Sequence, residues 1–264
     1  MNWVALMLRN QERRARLELR ANRLGTRRRC YVCNERFDHF YSARGGSAAI
    51  PAFLLAVGVI GSDMDNFSCP YCQSFDRERH LCMYFDQLGL WDTIRKGAVL
   101  HIAPEGRLRE AITRLKPREY VQGDISPMNP EVQRIDVTAI NYPDEHFDTI
   151  ICNHVLEHVP DDRRAMKELH RVLKRGGWAV MQVPFSTLLA HSFEDPNINS
   201  DALRNTFYGQ EDHVRLYGQD LFERLREAGF GVELRNHETV LGDLDPQVYG
   251  VNPREDLILL TKTT

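Results

Sequence analysis

The 264-residue sequence contains no apolar run long enough to cross a membrane. Its longest apolar stretch, residues 48–60, is interrupted by Pro51 and Gly58 and falls short of the about 20 residues that a spanning helix needs. No apolar segment follows the first residues closely, as one does in a secretory signal. These absences predict a cytoplasmic protein without a membrane span. Residues 48–60 are expected to be buried, and contact with a membrane surface is the alternative.

The net charge is also small, at −3, but it is distributed unevenly along the chain. Residues 1–29 hold nine arginines and two glutamates, a net charge of +7, which leaves −10 for the remainder. An acidic body argues against a broad nucleic-acid surface, whereas the basic start leaves a local one open. Apolar residues among the arginines predict a helix over residues 2–24 that Gly25 ends.

Four of the six cysteines form two CxxC pairs, Cys30 with Cys33 and Cys69 with Cys72. Two such pairs can hold one tetrahedral Zn²⁺, although the 35 residues between the inner cysteines exceed the commonest zinc-ribbon spacing. We predict a structural zinc ion, because four sulfur ligands leave no position for a reacting water. Unpaired buried thiols and a redox pair are the alternatives.

The remaining cysteines and two nearby histidines have simpler interpretations. His39 and His80 are substitute zinc ligands should one sulfur be absent from the site. Cys82 and Cys152 fit ordinary buried cysteines. Stable disulfides are not expected in a cytosolic chain.

Residues 147–184 have the pattern of a strand, a helix and a second strand. Residues 149–152 predict the first strand; Asp161 and Asp162 are good helix caps, and the apolar residues after them recur at helical spacing. Gly176 and Gly177 are predicted to end this helix before a second strand at 178–183. Such a unit needs a parallel sheet with helices on its faces. Further helices are predicted at 82–91, 108–115 and 219–228, and further strands at 98–102, 119–122, 231–234 and 256–261.

The same stretch resembles the class I S-adenosylmethionine (SAM)-dependent methyltransferases, of the methyltransferase type 11 kind, in which the run FDxIxxxxVLEHVxD…LxRVLKxGG recurs. The resemblance implies a Rossmann-like α/β fold, with a mostly parallel seven-stranded sheet, helices on both faces and a small N-terminal zinc-binding module. It divides the chain into a basic helix (1–29), a four-cysteine module with a linker helix (30–92) and a methyltransferase domain (93–264). The last would contain an inserted lid at about 185–216.

The resemblance also implies that SAM binds at the carboxyl ends of the first four strands. Asp124, at the end of the second strand, would accept the ribose hydroxyls, with Ile125 beside it. The alternative for Asp124 is a local turn or helix cap formed with Ser126 and Pro127.

The third and fourth strands would hold the two ends of the cofactor. Asp136 would receive the adenine amino group, and the backbone of Val137 would meet a ring nitrogen. Asn153 and His154 would face the sulfonium and the methionine portion.

The first loop departs from the glycine-rich pattern of the family. His101 stands where an acidic residue is expected, Ala103 and Glu105 replace glycines, and Gly106 remains. We expect these four residues to line the cofactor. Glu105 either pairs with the cofactor's ammonium group or is a surface carboxylate at a helix N-terminus.

Residues 154–158 read HVLEH, which is the HxxEH pattern of the inverted zinc peptidases. A peptidase needs this pattern inside a helix and a further ligand downstream, whereas here it follows a strand and precedes Pro160. We therefore reject the peptidase interpretation. The two histidines, with Glu157, are expected to line the site or brace the loop.

The leading functional prediction is methyl transfer from SAM to a small-molecule or sugar-type acceptor, supported by the acidic body and the length of 185–216. His213 and His154 are the leading candidates for a general base, with His158 and His191 as others. One alternative is an RNA methyltransferase that binds RNA through the zinc module and the arginines. Another is a non-catalytic zinc-binding scaffold, suggested by the degenerate first loop.

Overall fold

The structure is a computed structural model that describes residues 24–263. These residues divide into two compact units. The cysteine unit comprises residues 24–49, 62–83 and 243–252, and the sheet unit comprises residues 50–61, 84–242 and 253–263. The helix predicted over residues 2–24 lies outside the described residues, except for its last position.

The elements are numbered here in chain order. The strands are β1 (Arg28–Arg29), β2 (Arg36–Phe37), β3 (Val59–Ile60), β4 (Ala98–Ile102), β5 (Glu119–Asp124), β6 (Gln133–Arg134), β7 (Phe147–Cys152), β8 (Leu173–Val180), β9 (Phe185–Ser186), β10 (Gly231–Arg235) and β11 (Leu257–Thr261). The helices are α1 (Ala52–Ala56), α2 (Asp76–Gln87), α3 (Trp91–Lys96), α4 (Gly106–Leu115), α5 (Asp162–Val172), α6 (Asp201–Phe207), α7 (Leu221–Glu227), α8 (His237–Leu241) and α9 (Pro246–Tyr249).

The sheet unit is built on one seven-stranded sheet in the order β10-β11-β8-β7-β4-β5-β6. Neighbouring strands from β8 to β6 are parallel, and β11 is antiparallel to both of its neighbours. All five residues of β4 are buried, as expected for a parallel strand covered on both faces. The predicted mostly parallel, seven-stranded α/β fold is confirmed.

Helices cover the two faces of this sheet. Leu100 of β4 and Ile150 of β7 belong to the same apolar core as the buried residues of α5 and α7. Side chains alternate between faces along a strand, so Trp178 of β8 lies on the other face, where the ring of Phe85 from α2 packs 5.6 Å from it.

Helix α5 begins where the sequence predicts but ends earlier. The side chain of Asp161 caps it by accepting a hydrogen bond from the backbone N–H of Arg164 at 3.0 Å. The predicted stop at Gly176 and Gly177 is wrong, because α5 ends at Val172 and both glycines lie inside β8. A Cβ on Gly177 would stand 2.9 Å from the carbonyl oxygen of Asp148, so the glycine permits a close backbone approach beside β7. The strand predicted at 178–183 accordingly begins at Leu173 and ends at Val180.

The other predicted elements are found with small shifts of their ends. The helix predicted over 82–91 is two helices, α2 and α3, separated by a turn at Gly89. The predicted insertion at 185–216 contains β9 and α6, and its Phe193, Tyr208 and Leu216 pack with Leu54 in a separate apolar cluster. No helix among residues 24–263 combines the length and apolarity needed to cross a membrane.

The cysteine unit is not the continuous segment 30–92 that the sequence suggests. Residues 243–252 belong to it, whereas residues 50–61 and those after Met83 belong to the sheet unit. The physical reason is Arg79, which is fully buried and donates hydrogen bonds to the carbonyls of Tyr249 at 3.0 Å and Gly250 at 2.7 Å. A buried guanidinium requires such acceptors, and here a remote part of the chain supplies them.

Candidate functional site

The candidate site lies at the carboxyl ends of β4, β5, β6 and β7. The order of the strands reverses at β4, which pairs with β5 on one side and with β7 on the other. In open α/β sheets, ligands bind beyond the carboxyl ends of the strands at such a reversal. The cofactor residues predicted from the sequence follow these four strand ends.

The loop after β4 is organised by a buried chain of polar side chains. His101 is fully buried, and its Nε2 lies 2.9 Å from Oε2 of Glu105 while its Nδ1 lies 2.9 Å from the hydroxyl of Tyr120. A neutral His101 satisfies both contacts when Nε2 donates a hydrogen bond to the Glu105 carboxylate and Nδ1 accepts one from the Tyr120 hydroxyl. Burial raises the pKa of Tyr120 and keeps this donor protonated. Glu105 is itself buried, so its interpretation as a surface carboxylate is wrong.

The same loop keeps a backbone conformation that usually belongs to glycine. Ala103 has a φ of +46°, in the left-handed region, and its N–H donates to the carbonyl of Gly123 at 2.7 Å. Gly106 begins α4, and a Cβ there would meet no atom within 4 Å. The loop therefore makes its turn without the glycines that the family pattern has at these positions.

The aspartates after β5 and β6 both form local turns. Asp124 Oδ1 accepts from the N–H of Ser126 at 2.8 Å, and Asp136 Oδ1 accepts from the N–H of Thr138 at 2.8 Å. The Thr138 hydroxyl and N–H hold the pKa of Asp136 below its usual value. In each carboxylate, one oxygen is thus hydrogen-bonded within its own loop. The turn considered for Asp124 is present, and it fixes the direction of the side chain.

Two apolar residues accompany these aspartates. The side chain of Ile125 is unusually exposed, with 55% of its surface accessible, while Val137 is buried. An exposed isoleucine beside a positioned carboxylate suits contact with a flat ligand.

The end of β7 carries strained and incompletely bonded groups. Asn153 is buried, its Oδ1 accepts from the N–H of Gln182 at 3.3 Å, and its Nδ2 has no hydrogen-bond partner among residues 24–263. His154 has a φ of +52°, which costs about 1–3 kcal/mol in a residue that is not glycine. Its Nε2 is also buried without a hydrogen-bond partner in the described part of the chain. Strain and polar atoms without hydrogen-bond partners together mark a ligand-facing position.

Beyond His154, the loop brings three side chains together that lie far apart in sequence. One oxygen of Glu157 and one ring nitrogen each of His158 and His213 lie within 4.8 Å of one another. Burial alone would raise the pKa of Glu157, but the three neighbouring histidines outweigh it and hold that pKa below its usual value. Burial lowers the pKa of His213, and the charge of Glu157 opposes that shift. His191, the other histidine considered as a base, lies on the surface and outside this group.

Two residues that the sequence analysis did not identify hold this loop in place. Arg215 is buried and donates to the carbonyls of Leu156 at 2.9 Å and Pro160 at 2.8 Å. The hydroxyl of Tyr217 donates to a carboxylate oxygen of Asp162 at 2.8 Å. Nothing in the local sequence marks these braces, because their partners are more than fifty residues away.

The cysteine unit holds a separate candidate metal centre. The sulfurs of Cys30 and Cys72 are 3.6 Å apart, those of Cys33 and Cys69 are 3.8 Å apart, and all four lie within 4.8 Å of one another. The group contains no histidine, so neither His39 nor His80 is a fifth member.

The two CxxC turns have the same backbone structure. In the first, the N–H of Asn34 donates to the carbonyl of Cys30 at 2.8 Å; in the second, the N–H of Gln73 donates to that of Cys69 at 2.9 Å. Asn34 and Gln73 both have a positive φ, of 65° and 62°. Two matched knuckles that present four sulfurs are the donor set of a closed tetrahedral zinc site. Cys82 and Cys152 are buried, as predicted.

Known proteins resemble the central part of this chain. Residues 97–181 match the family model described as "Methyltransferase domain". The phosphatidylethanolamine N-methyltransferase of Cereibacter sphaeroides is 33% identical over 51 residues, which are 19% of this chain and 25% of that protein. The 2-phytyl-1,4-naphtoquinone methyltransferase of Synechococcus elongatus is 40% identical over 60 residues, which are 22% of this chain and 26% of that protein. This chain thus spans about a quarter of the length of these curated relatives.

Two solved structures are among those similar to this chain. The S-adenosylmethionine dependent methyltransferase from Mesorhizobium loti is 16% identical, with a TM-score of 0.43 over 66% of this chain and 95% of that chain. The YcgJ protein from Bacillus subtilis is 17% identical, with a TM-score of 0.45 over 68% of this chain and 99% of that chain. The family match identifies residues 97–181, which contain five of the seven strands of the sheet, as a methyltransferase domain.

Proposed function

We propose that this protein transfers the methyl group of SAM to a small-molecule acceptor. The observation that carries the proposal is the family match over residues 97–181, which spans the strand ends where four of the predicted loops begin. The names of two relatives, a phospholipid and a naphthoquinone methyltransferase, favour small acceptors over macromolecules.

The proposed cofactor site uses one residue set per strand end. Asp124 and Asp136 each keep a second carboxylate oxygen beyond the one bonded to their own turns, and these oxygens suit the ribose hydroxyls and the adenine amino group. Ile125 and Val137 would flank the adenine. The remaining residues proposed to contact the cofactor lie at the ends of β4 and β7: His101, Ala103, Glu105, Gly106, Asn153 and His154.

Within that set, Glu105 has a role that its burial supports. Its Oε2 is bonded to His101, which fixes the carboxylate at the start of α4. A fixed carboxylate in a buried loop suits the ammonium group of the cofactor's methionine portion, because the pair forms without further loss of side-chain freedom.

The chemistry asked of the protein is limited. SAM supplies an activated methyl group, so the chain must bind it, align the acceptor, exclude water and, for a protonated acceptor, remove a proton. His154 is our candidate for that proton acceptor, because its Nε2 is buried without a hydrogen-bond partner among the described residues. His213 is the second candidate. Its Nδ1 lies 2.9 Å from the carbonyl oxygen of Tyr208, so Nε2 is the ring nitrogen that could accept a proton from the acceptor molecule.

The proposal is tested by calorimetry with SAM on the whole chain. Wild-type protein should bind SAM, and Asp124→Ala should weaken binding by about ten- to a hundredfold, the effect of removing hydrogen bonds to a charged group. Asp243→Ala changes an exposed aspartate in the cysteine unit and should leave the affinity unchanged. Absence of SAM binding by wild-type protein would overturn the proposal and favour the non-catalytic scaffold.

An RNA acceptor would require a surface that binds phosphates. Arg27, Arg28 and Arg29 would then contact phosphates, and RNA binding would weaken steeply with salt. We expect no such dependence, and equal RNA binding by wild type and a triple Arg→Gln variant at these positions. A steep salt slope that the variant reduces would show that the acceptor is RNA.

For the four cysteines we propose a structural zinc ion. Their support is the mutual distance of the sulfurs and the paired turns described above. Purified protein should contain one zinc per chain at this site, and Cys72→Ser should lose it with a lower unfolding midpoint. Cys82→Ser, a buried cysteine outside the group, should keep the zinc; retention of the metal by Cys72→Ser would contradict the assignment.

A further inference from the structure

The loop after β7 contains a buried carboxylate whose environment is incomplete. Glu157 is 1% exposed, and neither of its carboxylate oxygens accepts a hydrogen bond within residues 24–263. The nearest charged partner is Nδ1 of His154, at 3.5 Å. A buried carboxylate in this condition is costly unless a cation satisfies it.

The two histidines that approach Glu157 each have an oxygen atom beside Nδ1. Nδ1 of His213 lies 2.9 Å from the carbonyl oxygen of Tyr208, and Nδ1 of His158 lies 3.2 Å from Oδ2 of Asp212. A carbonyl and a carboxylate oxygen can both accept from an Nδ1–H group, and in that neutral tautomer each Nε2 keeps its lone pair. Metal-binding histidines typically donate their other N–H to such a carbonyl or carboxylate.

The segments that carry these side chains are joined to each other. The N–H of Val214 donates to the carbonyl of Glu157 at 2.9 Å, which places His213 beside the loop. Arg215 fixes the same loop through the carbonyls of Leu156, Val159 and Pro160. A site whose donors are fixed before binding loses little entropy when the ion enters.

We propose that Glu157, His158 and His213 form a binding site for a divalent transition-metal ion. Two imidazoles and one carboxylate are a donor set suited to ions from manganese to zinc, and three protein ligands leave positions for water or an oxygen-bearing ligand. The site is separate from the four cysteines, which offer only sulfur. Its ligands need no cofactor to be in place, although His213 is also a candidate general base in the proposed methyl transfer.

The test is titration of the whole chain with Co²⁺, without SAM, followed by absorption spectroscopy. Cobalt held by cysteine sulfur gives intense thiolate-to-metal charge-transfer bands, whereas cobalt held by nitrogen and oxygen gives weaker visible bands alone. Wild-type protein should bind one Co²⁺ per chain with the second kind of spectrum, whatever the cysteines bind. Glu157→Gln and His158→Gln should each weaken that component at least about tenfold, the usual scale for disturbing a metal site.

His191→Gln is the matched control, because it changes an exposed histidine outside the group and should leave both spectral components unchanged. His158 has a partly exposed side chain, so its variant should fold, and unchanged near-ultraviolet circular dichroism will verify this. The proposal is overturned if wild type lacks the nitrogen–oxygen component, or if both ligand variants retain it at wild-type affinity. SAM binding, measured separately, reports on the methyltransferase proposal alone.

Discussion

At the scale of single residues, two glycines near the proposed cofactor loops should respond oppositely to an added methyl group. A Cβ on Gly123 would stand 2.6 Å from Cδ1 of Ile135 and 3.1 Å from Cδ1 of Ile102, whereas one on Gly106 would meet nothing within 4 Å. Gly123→Ala should therefore lower the free energy of unfolding by about 1–3 kcal/mol through overpacking. Gly106→Ala should stay within about 0.5 kcal/mol of wild type in the same urea titrations.

The same pair separates stability from cofactor binding. If the backbone at Gly106 approaches SAM closely, as the family pattern implies, Gly106→Ala should weaken SAM binding without changing the unfolding midpoint. Equal losses of stability in the two variants would contradict the packing argument. An unchanged SAM affinity in Gly106→Ala would show that the departure from the glycine-rich pattern has moved the cofactor away from this residue.

At the scale of elements, the loop between β7 and α5 should depend on Arg215. The guanidinium is buried and donates to three carbonyls of that loop, and Nη2 lies 3.2 Å from an oxygen of Glu194. Arg215→Met keeps the length of the side chain but leaves these acceptors buried without donors. We expect the free energy of unfolding to fall by about 3 kcal/mol, because each buried acceptor left without a donor costs about 1–3 kcal/mol.

Arg175→Met is the control for this substitution. Arg175 is paired with Glu145 at 3.1 Å on an exposed part of the sheet unit, and such pairs contribute about 0–1 kcal/mol. Comparable losses in the two variants would mean that the loop does not rely on Arg215. Hydrogen exchange should localise the effect, with faster exchange at the N–H groups of the loop in Arg215→Met only.

The boundaries of β8 show where local sequence stops being informative. Gly176 and Gly177 follow a helix, and a pair of glycines there is typical of a helix end. The backbone leaves the helix earlier because Leu173 pairs with Phe147 of β7, and the N–H of Gly176 donates to the carbonyl of Lys262. Pairing with remote strands therefore decides the end of α5. The apolar stripe of that helix and the five buried residues of β4 were predictable. An element that is buried on one or both faces has apolar residues at regular positions in the sequence.

At the scale of the whole molecule, the sequence predicts sites whose residues are close together in the chain. It does not predict sites whose residues are far apart in the chain and meet only in the fold. The cysteine pairs could be recognised as a candidate zinc site from the sequence, because each CxxC pair forms a turn of its own. By contrast, Glu157 and His213 meet only in the fold. The HxxEH pattern could therefore be rejected as a peptidase motif, but the sequence did not show that His213 lies beside it. The attachment of residues 243–252 to the cysteine unit through buried Arg79 is of the same kind.

The stability of the whole molecule should fall as the pH is lowered from about 7 to about 5.5. Burial lowers the pKa of both His170 and His237 in the folded chain, while the unfolded chain binds these protons near pH 6.5. Because the unfolded state then holds more protons, the contribution of these groups is present above their unfolded pKa and is lost as the pH falls through it. Urea midpoints at the two pH values should differ less in His237→Gln than in wild type, whereas His191→Gln, at an exposed position, should match wild type. A wild-type midpoint that rises on acidification would show that His170 and His237 do not control stability in this range.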